Sequence, residues 1–329
     1  MGRGRAVSGR VGRGEEAVKR LALALLLTLP AAAQTQPAAS IEERTPAPVF
    51  RVATRLVNVF VSASDGNGAP IAPLEQKDFE VFDDGQPQRI DVFERQSETP
   101  LSLVMALDTS GSMVKDSRLV REAARQFVRD VIRPQDEMQV VQFSENVDEL
   151  VPFTNEAKRI DDGLRNLRVG ESTNLYDAVY LAAQSLGARP ADGQGRRKRV
   201  IVVISDGDDS HMGMTYAKAL EAAQRDEAMV FSIIVVPIPS DAGRNTGGEH
   251  ALIQLSTDTG GRYYYVQSPE ELKRAFAHLS DDLRAQYLLA YYAPKHKGGI
   301  GLHSIEVRLA DPVKRDIDLL RYRSAYYGE

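Results

Sequence analysis

The chain has 329 residues, 43% of them hydrophobic and 26% charged, with a formal net charge of −5. That balance fits a soluble chain with a buried core, folded as one large domain or two ordinary ones. It has no cysteine, which excludes a disulfide scaffold, a zinc–thiolate site, a thiol nucleophile and a cysteine-linked lipid anchor.

Arg3, Arg5, Arg10, Arg13, Lys19 and Arg20 form a basic lead, an apolar run follows over 21–29, and PAAAQ closes it. These are the three parts of a secretory signal. Residues 1–33 therefore read as a signal peptide and the mature chain as exported, periplasmic or secreted. A buried helix or membrane anchor is the competing reading, but the run is far below the ~20 residues that span a bilayer. Without 1–33 the chain keeps 35 basic and 44 acidic residues, a formal −9. Such a surface disfavours non-specific nucleic-acid binding, which needs cations against phosphate.

Residues 34–48 are rich in Pro, Ala, Ser and Thr and read as a flexible linker. Residues 49–98 form a first β segment. Apolar and polar residues alternate over 50–61, and FEVF (79–82), DDG (83–85) and IDVF (90–93) predict two strands joined by a tight hairpin. From 99 to 284 strands and helices alternate. Strands are expected at 101–107, 138–143, 200–204, 230–236 and 262–266, with amphipathic helices near 119–132, 175–186, 216–228 and 270–284. Continuous apolar strands alternating with such helices predict an α/β domain with a mainly parallel sheet covered on both faces. Residues 285–329 return to strands at 287–292, 304–309 and 319–325, and their simplest partners are the strands of 49–98. The expected architecture is a Rossmann-like α/β domain flanked by a smaller β-sandwich-like domain built from both chain ends.

The chemistry concentrates at LVMALDTSGSM (103–113), an apolar strand ending in D-x-S-x-S. Ligands of open α/β sheets sit at the carboxyl ends of strands, and Asp108, Ser110 and Ser112 offer one carboxylate and two hydroxyls there. Gly111 is expected to permit the tight turn between them. Two further pieces fall where such a site needs them. GESTNL (170–175) opens a helix and offers the Thr173 hydroxyl, and VIVVISDG (200–207) is a second apolar strand ending in Asp206.

This combination resembles the von Willebrand factor A family, whose metal ion-dependent adhesion site has D-x-S-x-S, a later Thr and a later Asp. The resemblance covers about 101–284. The flanking FEVFDDG (79–85) and YLLAY (287–291) resemble exported bacterial relatives. It implies a metal site of Asp108, Ser110, Ser112, Thr173 and Asp206, in which the serines coordinate directly while Thr and the second Asp exchange between direct and water-mediated contact. It also implies a coupling between the metal site and the last helix, 270–284. The ligand set suits Mg²⁺, which takes six oxygens and usually keeps waters; Mn²⁺ can substitute, and Ca²⁺ is less favoured because it recruits more oxygens. Two carboxylates at most balance the ion's charge, leaving room for an Asp or Glu from a partner protein.

Several features have simpler readings. Asp177 suits a helix first turn, and Asp208 and Asp209 read as a solvated turn. The five histidines form no close pair, which argues against zinc. RRKR (196–199) reads as a solvated strand entrance, and Tyr263, Tyr264 and Tyr265 as strand packing. The expected function is a non-enzymatic, adhesion-type binding module. A Mg²⁺-dependent phosphohydrolase and a structural envelope protein with a stabilising metal are the alternatives. The first lacks a P-loop, a second-metal cluster and an assigned base.

Overall fold

The apolar strands predicted after residue 100 are continuous rather than alternating, and in the computed structural model they share one sheet. The structure describes residues 55–65, 71, 74–95, 99–113, 117–193, 196–207, 209, 213–236, 246–294, 301–310 and 319–328, all within the unit Val52–Glu329. The expected signal peptide and linker lie outside the described residues. The first elements are β1 (Leu56–Ser64), β2 (Phe79–Asp83), β3 (Gln86–Gln88) and β4 (Val92–Glu94). The central region holds β5 (Leu101–Asp108), α1 (Ser117–Val131), β6 (Glu137–Phe143), β7 (Val147–Thr154), α2 (Ala157–Leu164), α3 (Leu175–Gly187) and β8 (Lys198–Ser205). It continues with α4 (Tyr216–Arg225), β9 (Ala228–Val235), α5 (Thr246–Asp258), β10 (Tyr263–Val266) and α6 (Pro269–Arg284). The chain closes with β11 (Tyr287–Tyr292), β12 (Gly301–Leu309), β13 (Leu319–Arg321) and β14 (Ala325–Gly328).

The central sheet runs β10-β9-β8-β5-β6-β7, parallel except for β7 at one edge. Every residue of β5 is buried, as a parallel strand covered on both faces requires. Its residues divide by parity. Leu101, Leu103, Met105 and Leu107 pack with Phe127 of α1 and Phe276 of α6, whose rings lie 5.1 Å apart. Val104 and Ala106 meet Ala178, Val179 and Ala182 of α3 and Ala219 of α4. Each of the larger side chains among these (Leu, Met, Val, Phe), once fully buried, contributes about 1.5–3 kcal/mol.

The chain ends form two four-stranded sheets, β13-β1-β11-β4 and β14-β12-β2-β3. Strand β1 pairs antiparallel with β11, and β12 with β2, so each sheet mixes strands from the two ends. Val57, Val59, Leu289 and Tyr291 face the second sheet, where Val81, Ile305 and Tyr326 wait. Phe60 and Leu288 point the other way, into the α/β core. Both faces of the β1–β11 pair are therefore covered.

Local differences from expectation have visible causes. The hairpin from β2 returns through Asp84 and Gly85, at φ of 47° and 75°, into β3 rather than into 90–93. Residues 92–94 cross instead to β11 in the other sheet. The segment predicted at 319–325 is two strands in two sheets. RRKR is no solvated entrance. Lys198 is buried, donating from Nζ to Leu283 O at 2.8 Å and lying 4.8 Å from the Phe60 ring. Arg196 pairs with Glu94 and Arg197 with Glu137, while Arg199 donates to the carbonyls of Leu186 and Arg189. The run ties the strand-entrance edge of the central sheet to α3, α6 and the β-sandwich. Glu227 does the same from the start of β9: burial raises its carboxyl, but Arg323, Arg55 and Arg199 hold it below the usual range. The sandwich is thus fastened at one edge of the sheet, and the carboxyl ends of the strands lie at the opposite edge.

Candidate metal centre

Asp108 ends β5, the strand at which the order reverses: β6 lies on one side and β8 on the other. A crevice forms at such a reversal because the connections leave the strand ends in opposite directions. The Asp108 side chain is buried there and fully engaged. Its Oδ1 accepts from Ser110 N at 2.9 Å, and its Oδ2 accepts from the Ser205 hydroxyl at 2.6 Å. Ser205 Oγ in turn accepts from Gly207 N at 3.0 Å. Burial pushes the Asp108 carboxyl up to about 6; the Ser110 and Ser205 hydrogen bonds oppose this, and the charge of Asp206 adds to it. An anionic Asp108 is therefore costly in the protein alone and favourable beside a cation.

Ser110 is buried and Ser112 exposed, and their hydroxyl oxygens lie 3.1 Å apart. A short 3-10 turn, Gly111–Met113, aims them, with Met113 N donating to Ser110 O at 3.0 Å. Gly111 sits in this turn as expected, but the turn does not depend on its lacking a side chain. It does not have a left-handed backbone, and a Cβ there would meet only Gly170 O, at an ordinary 3.9 Å. The glycine that the geometry does require is Gly207, after Asp206. Its φ is +87°, and a Cβ would come within 2.7 Å of the Gly248 carbonyl carbon at the start of α5.

The loop before α3 hangs from the first motif. Gly170 N donates to Thr109 O at 2.9 Å, and Thr109 N donates to Phe143 O at 2.9 Å. Glu145 braces the same loop, accepting from Glu171 N at 3.0 Å through its carboxylate and from Asn174 Nδ2 at 2.7 Å through its carbonyl. Backbone donors hold the Glu145 carboxyl below its usual range. Thr173 is buried in this loop, and Asp206 is half-buried where β8 ends. Asp108, Ser110 and Ser112 thus form one contact group, Asp206 is close enough for its charge to act on Asp108, and Thr173 stands on the loop tied to Thr109.

One acidic residue acts differently from its sequence reading, and a second adds a contact to it. Asp209, expected in a solvated turn, accepts from Leu175 N at 2.9 Å and satisfies the first turn of α3 from 34 positions away. Asp177 lies in that first turn as expected, and its Oδ2 also accepts from Met214 N at 3.0 Å. Asp208 lies outside the described residues. Ser205 and Glu145 were not singled out in the sequence. The signal for Ser205 was its place beside Asp206; nothing local marked Glu145.

The donor set can be tested against a divalent cation on distance. Neighbouring oxygens of a Mg²⁺ octahedron with bonds of 2.0–2.1 Å lie about 2.9 Å apart. The Ser110–Ser112 separation of 3.1 Å suits two such neighbours. A carboxylate and two neutral hydroxyls are hard donors appropriate to Mg²⁺ or Mn²⁺. A second group, Asp83, Asp84 and His303, brings ligand-capable atoms within 4.8 Å in the β-sandwich. Histidine spacing alone had not revealed it. Its atoms serve the sandwich: Tyr291 and Tyr326 hydroxyls donate to Asp83 at 2.9 and 2.7 Å, and Asp84 holds His303 and Ser304. Among the described residues, no helix is long and apolar enough to cross a membrane.

The family model of the von Willebrand factor type A domain matches residues 102–278. No curated protein matches the chain. Among solved structures, the conserved hypothetical protein BatB from Bacteroides thetaiotaomicron is 22% identical, covering 55% of this chain and 98% of its own, with a TM-score of 0.44. An aerotolerance-related membrane protein from Bacteroides fragilis has the same identity and coverage, with a TM-score of 0.42. Proximal thread matrix protein 1 from the mussel byssus, solved with a zinc-occupied MIDAS motif, is 12% identical over 62% of this chain and 50% of its own, with a TM-score of 0.48.

Proposed function

The chain belongs to the von Willebrand factor type A domain family, and from that premise we propose that it is an exported, non-enzymatic binding module that captures a partner protein's carboxylate at a divalent-metal site. The observation that carries this reading is the Ser110–Ser112 hydroxyl pair, 3.1 Å apart, beside the buried and electrostatically strained Asp108 carboxylate. Asp108, Ser110, Ser112, Thr173 and Asp206 would hold Mg²⁺, with Mn²⁺ as a substitute and Ca²⁺ less favoured. A bound Mg²⁺ would supply an electrophilic position for one anionic oxygen, here from an Asp or Glu of the partner.

The chain's own residues set that position up. Ser205 fixes one oxygen of Asp108 and the Ser110 amide fixes the other, so the carboxylate cannot rotate away. Glu145 and Thr109 hold the Thr173 loop at the same rim. Residues 1–33 act as the export signal in this reading, leaving the mature protein in the periplasm or outside the cell.

Mn²⁺ gives a direct test, because its bound water enhances proton relaxation. Mn²⁺-loaded mature protein titrated with acetate should lose part of that enhancement as carboxylate displaces water. The Asp108→Ala variant should show no protein-bound enhancement to lose. Enhancement that acetate leaves untouched would sink carboxylate capture, and Mg²⁺-dependent turnover of phosphate esters lost in Asp108→Ala would replace it with hydrolysis.

A further inference from the structure

The loop that joins α2 to α3 reaches the candidate metal centre with its backbone pinned at three residues. Arg168 N donates to Oε1 of the buried Gln142 at 2.9 Å, Gly170 N to Thr109 O at 2.9 Å, and Glu171 N to the Glu145 carboxylate at 3.0 Å. All three acceptors stand at the ends of β5 and β6 or just after them. Gly170 seats the loop. Its carbonyl oxygen lies 3.9 Å from where a Gly111 Cβ would stand, and a Cβ of its own would collide with the side chains of Ser144 and Glu145.

Val169 sits between two of these pins, which hold its side chain outward. It is 62% exposed, the most exposed large apolar residue among those described. A single exposed apolar residue is ordinary on a protein surface. What sets this one apart is its place. The other exposed large apolar residues belong to α3, β10 and the sandwich strands, whereas Val169 is one residue from the loop's bond to Thr109, inside D-x-S-x-S. On the same loop the exposed Arg168 and Glu171 carry opposite charges and offset one another. A partner chain lying here gains from apolar burial, on a contact whose backbone is already ordered before binding.

We propose that Val169 selects the partner: the residue next to the partner's metal-bound Asp or Glu is aliphatic, and its side chain packs on Val169. This rests on the metal-site reading given above, to which Val169 adds specificity without holding the ion. The need for such a residue is chemical. A metal–carboxylate bond is the same for every exposed Asp or Glu, so the ion by itself cannot tell one protein surface from another. Specificity is a difference of affinities, and a flanking apolar contact supplies one. Successive Cα atoms are about 3.8 Å apart, so the partner residue beside the carboxylate falls within reach of the Val169 side chain when the carboxylate sits at the Ser110–Ser112 pair.

The test titrates three end-blocked pentapeptides into Mg²⁺-loaded mature protein by calorimetry, each with a central glutamate flanked by leucines, alanines or lysines. The leucine peptide should bind about fivefold or more tightly than the alanine peptide, and EDTA should abolish both. In Val169→Ser the leucine preference should shrink to about twofold or less, while Val169→Leu should keep it. Mg²⁺ affinity, acetate capture and melting temperature should match wild type in both variants, because the residue is exposed and holds no metal. Wild-type protein that captures acetate but does not prefer leucine would overturn the proposal, as would a preference that survives in Val169→Ser or in EDTA. Tighter binding of the lysine peptide would also overturn it, assigning the flank to the Glu145 and Glu171 charges. Failure to take up Mg²⁺ or acetate at all is a different result: it removes the metal-site reading, and this inference with it.

Discussion

Asp108 carries the most information of any single residue. Its carboxyl is raised from 3.8 to about 6, chiefly by burial. A raised value means that the folded protein holds this proton more tightly than the unfolded chain does. In metal-free protein the resulting stability is present below about pH 3.8 and is lost as pH rises through about 6. Metal binding runs in the opposite sense, because the ion needs the ionised carboxylate. Apparent Mg²⁺ affinity should therefore fall as pH drops through about 6, and calorimetry between pH 5 and 8 would show it. A flat affinity across that range would mean that Asp108 is not the titrating ligand. Asp108, Ser110 and Ser112 were legible because D-x-S-x-S is a contiguous string. Ser205 was not, since its role depends on β5 and β8 lying side by side.

At the scale of elements, the candidate site depends on how two strand-to-helix connections, β5 to α1 and β8 to α4, meet the loop between α2 and α3. Gly207 is where the fit is tightest. Its left-handed φ of +87° and the approach of Gly248 leave no room for a side chain between β8 and α5. Gly207→Ala should destabilise the fold by about 2 kcal/mol or more, through strain at positive φ together with displacement of α5. Urea denaturation would measure this, and a loss below about 0.5 kcal/mol would show that α5 moves aside freely. The buried parallel strands were readable as continuous apolar runs. Strand β7 was not, because it is an edge strand with Asp148 and Glu149 exposed. Helix α2 is only eight residues long, and α5 opens on Gly247 and Gly248, which are poor helix formers.

At the scale of the whole molecule, both chain ends close one β-sandwich and fasten it to the strand-entrance edge. Lys198 stands at that junction. Burial, then the nearby Arg284, lower its amine to about 7, with Arg133 adding to the effect and Asp136 opposing it. A depressed lysine destabilises the fold progressively as pH falls from 10.5 through about 7. Lys198→Met should remove that component, so the variant's melting temperature should gain on wild type between pH 9 and pH 6. A parallel pH dependence in the two proteins would place the charge cost elsewhere. The pairing of the two ends followed from incomplete strand content at each. The clasp that fastens them did not, because RRKR looks solvated until Glu94, Glu137 and the helix carbonyls are brought beside it.

The central claim is that this rim holds a divalent cation. Calorimetric titration of Mg²⁺ into EDTA-stripped mature protein tests it most directly, with Asp108→Ala, Ser110→Ala and Ser205→Ala alongside. The account predicts one site, abolished in the first two variants and weakened about tenfold in the third, whose serine only orients Asp108. Folded wild-type protein that takes up no Mg²⁺, even with acetate present, would contradict it.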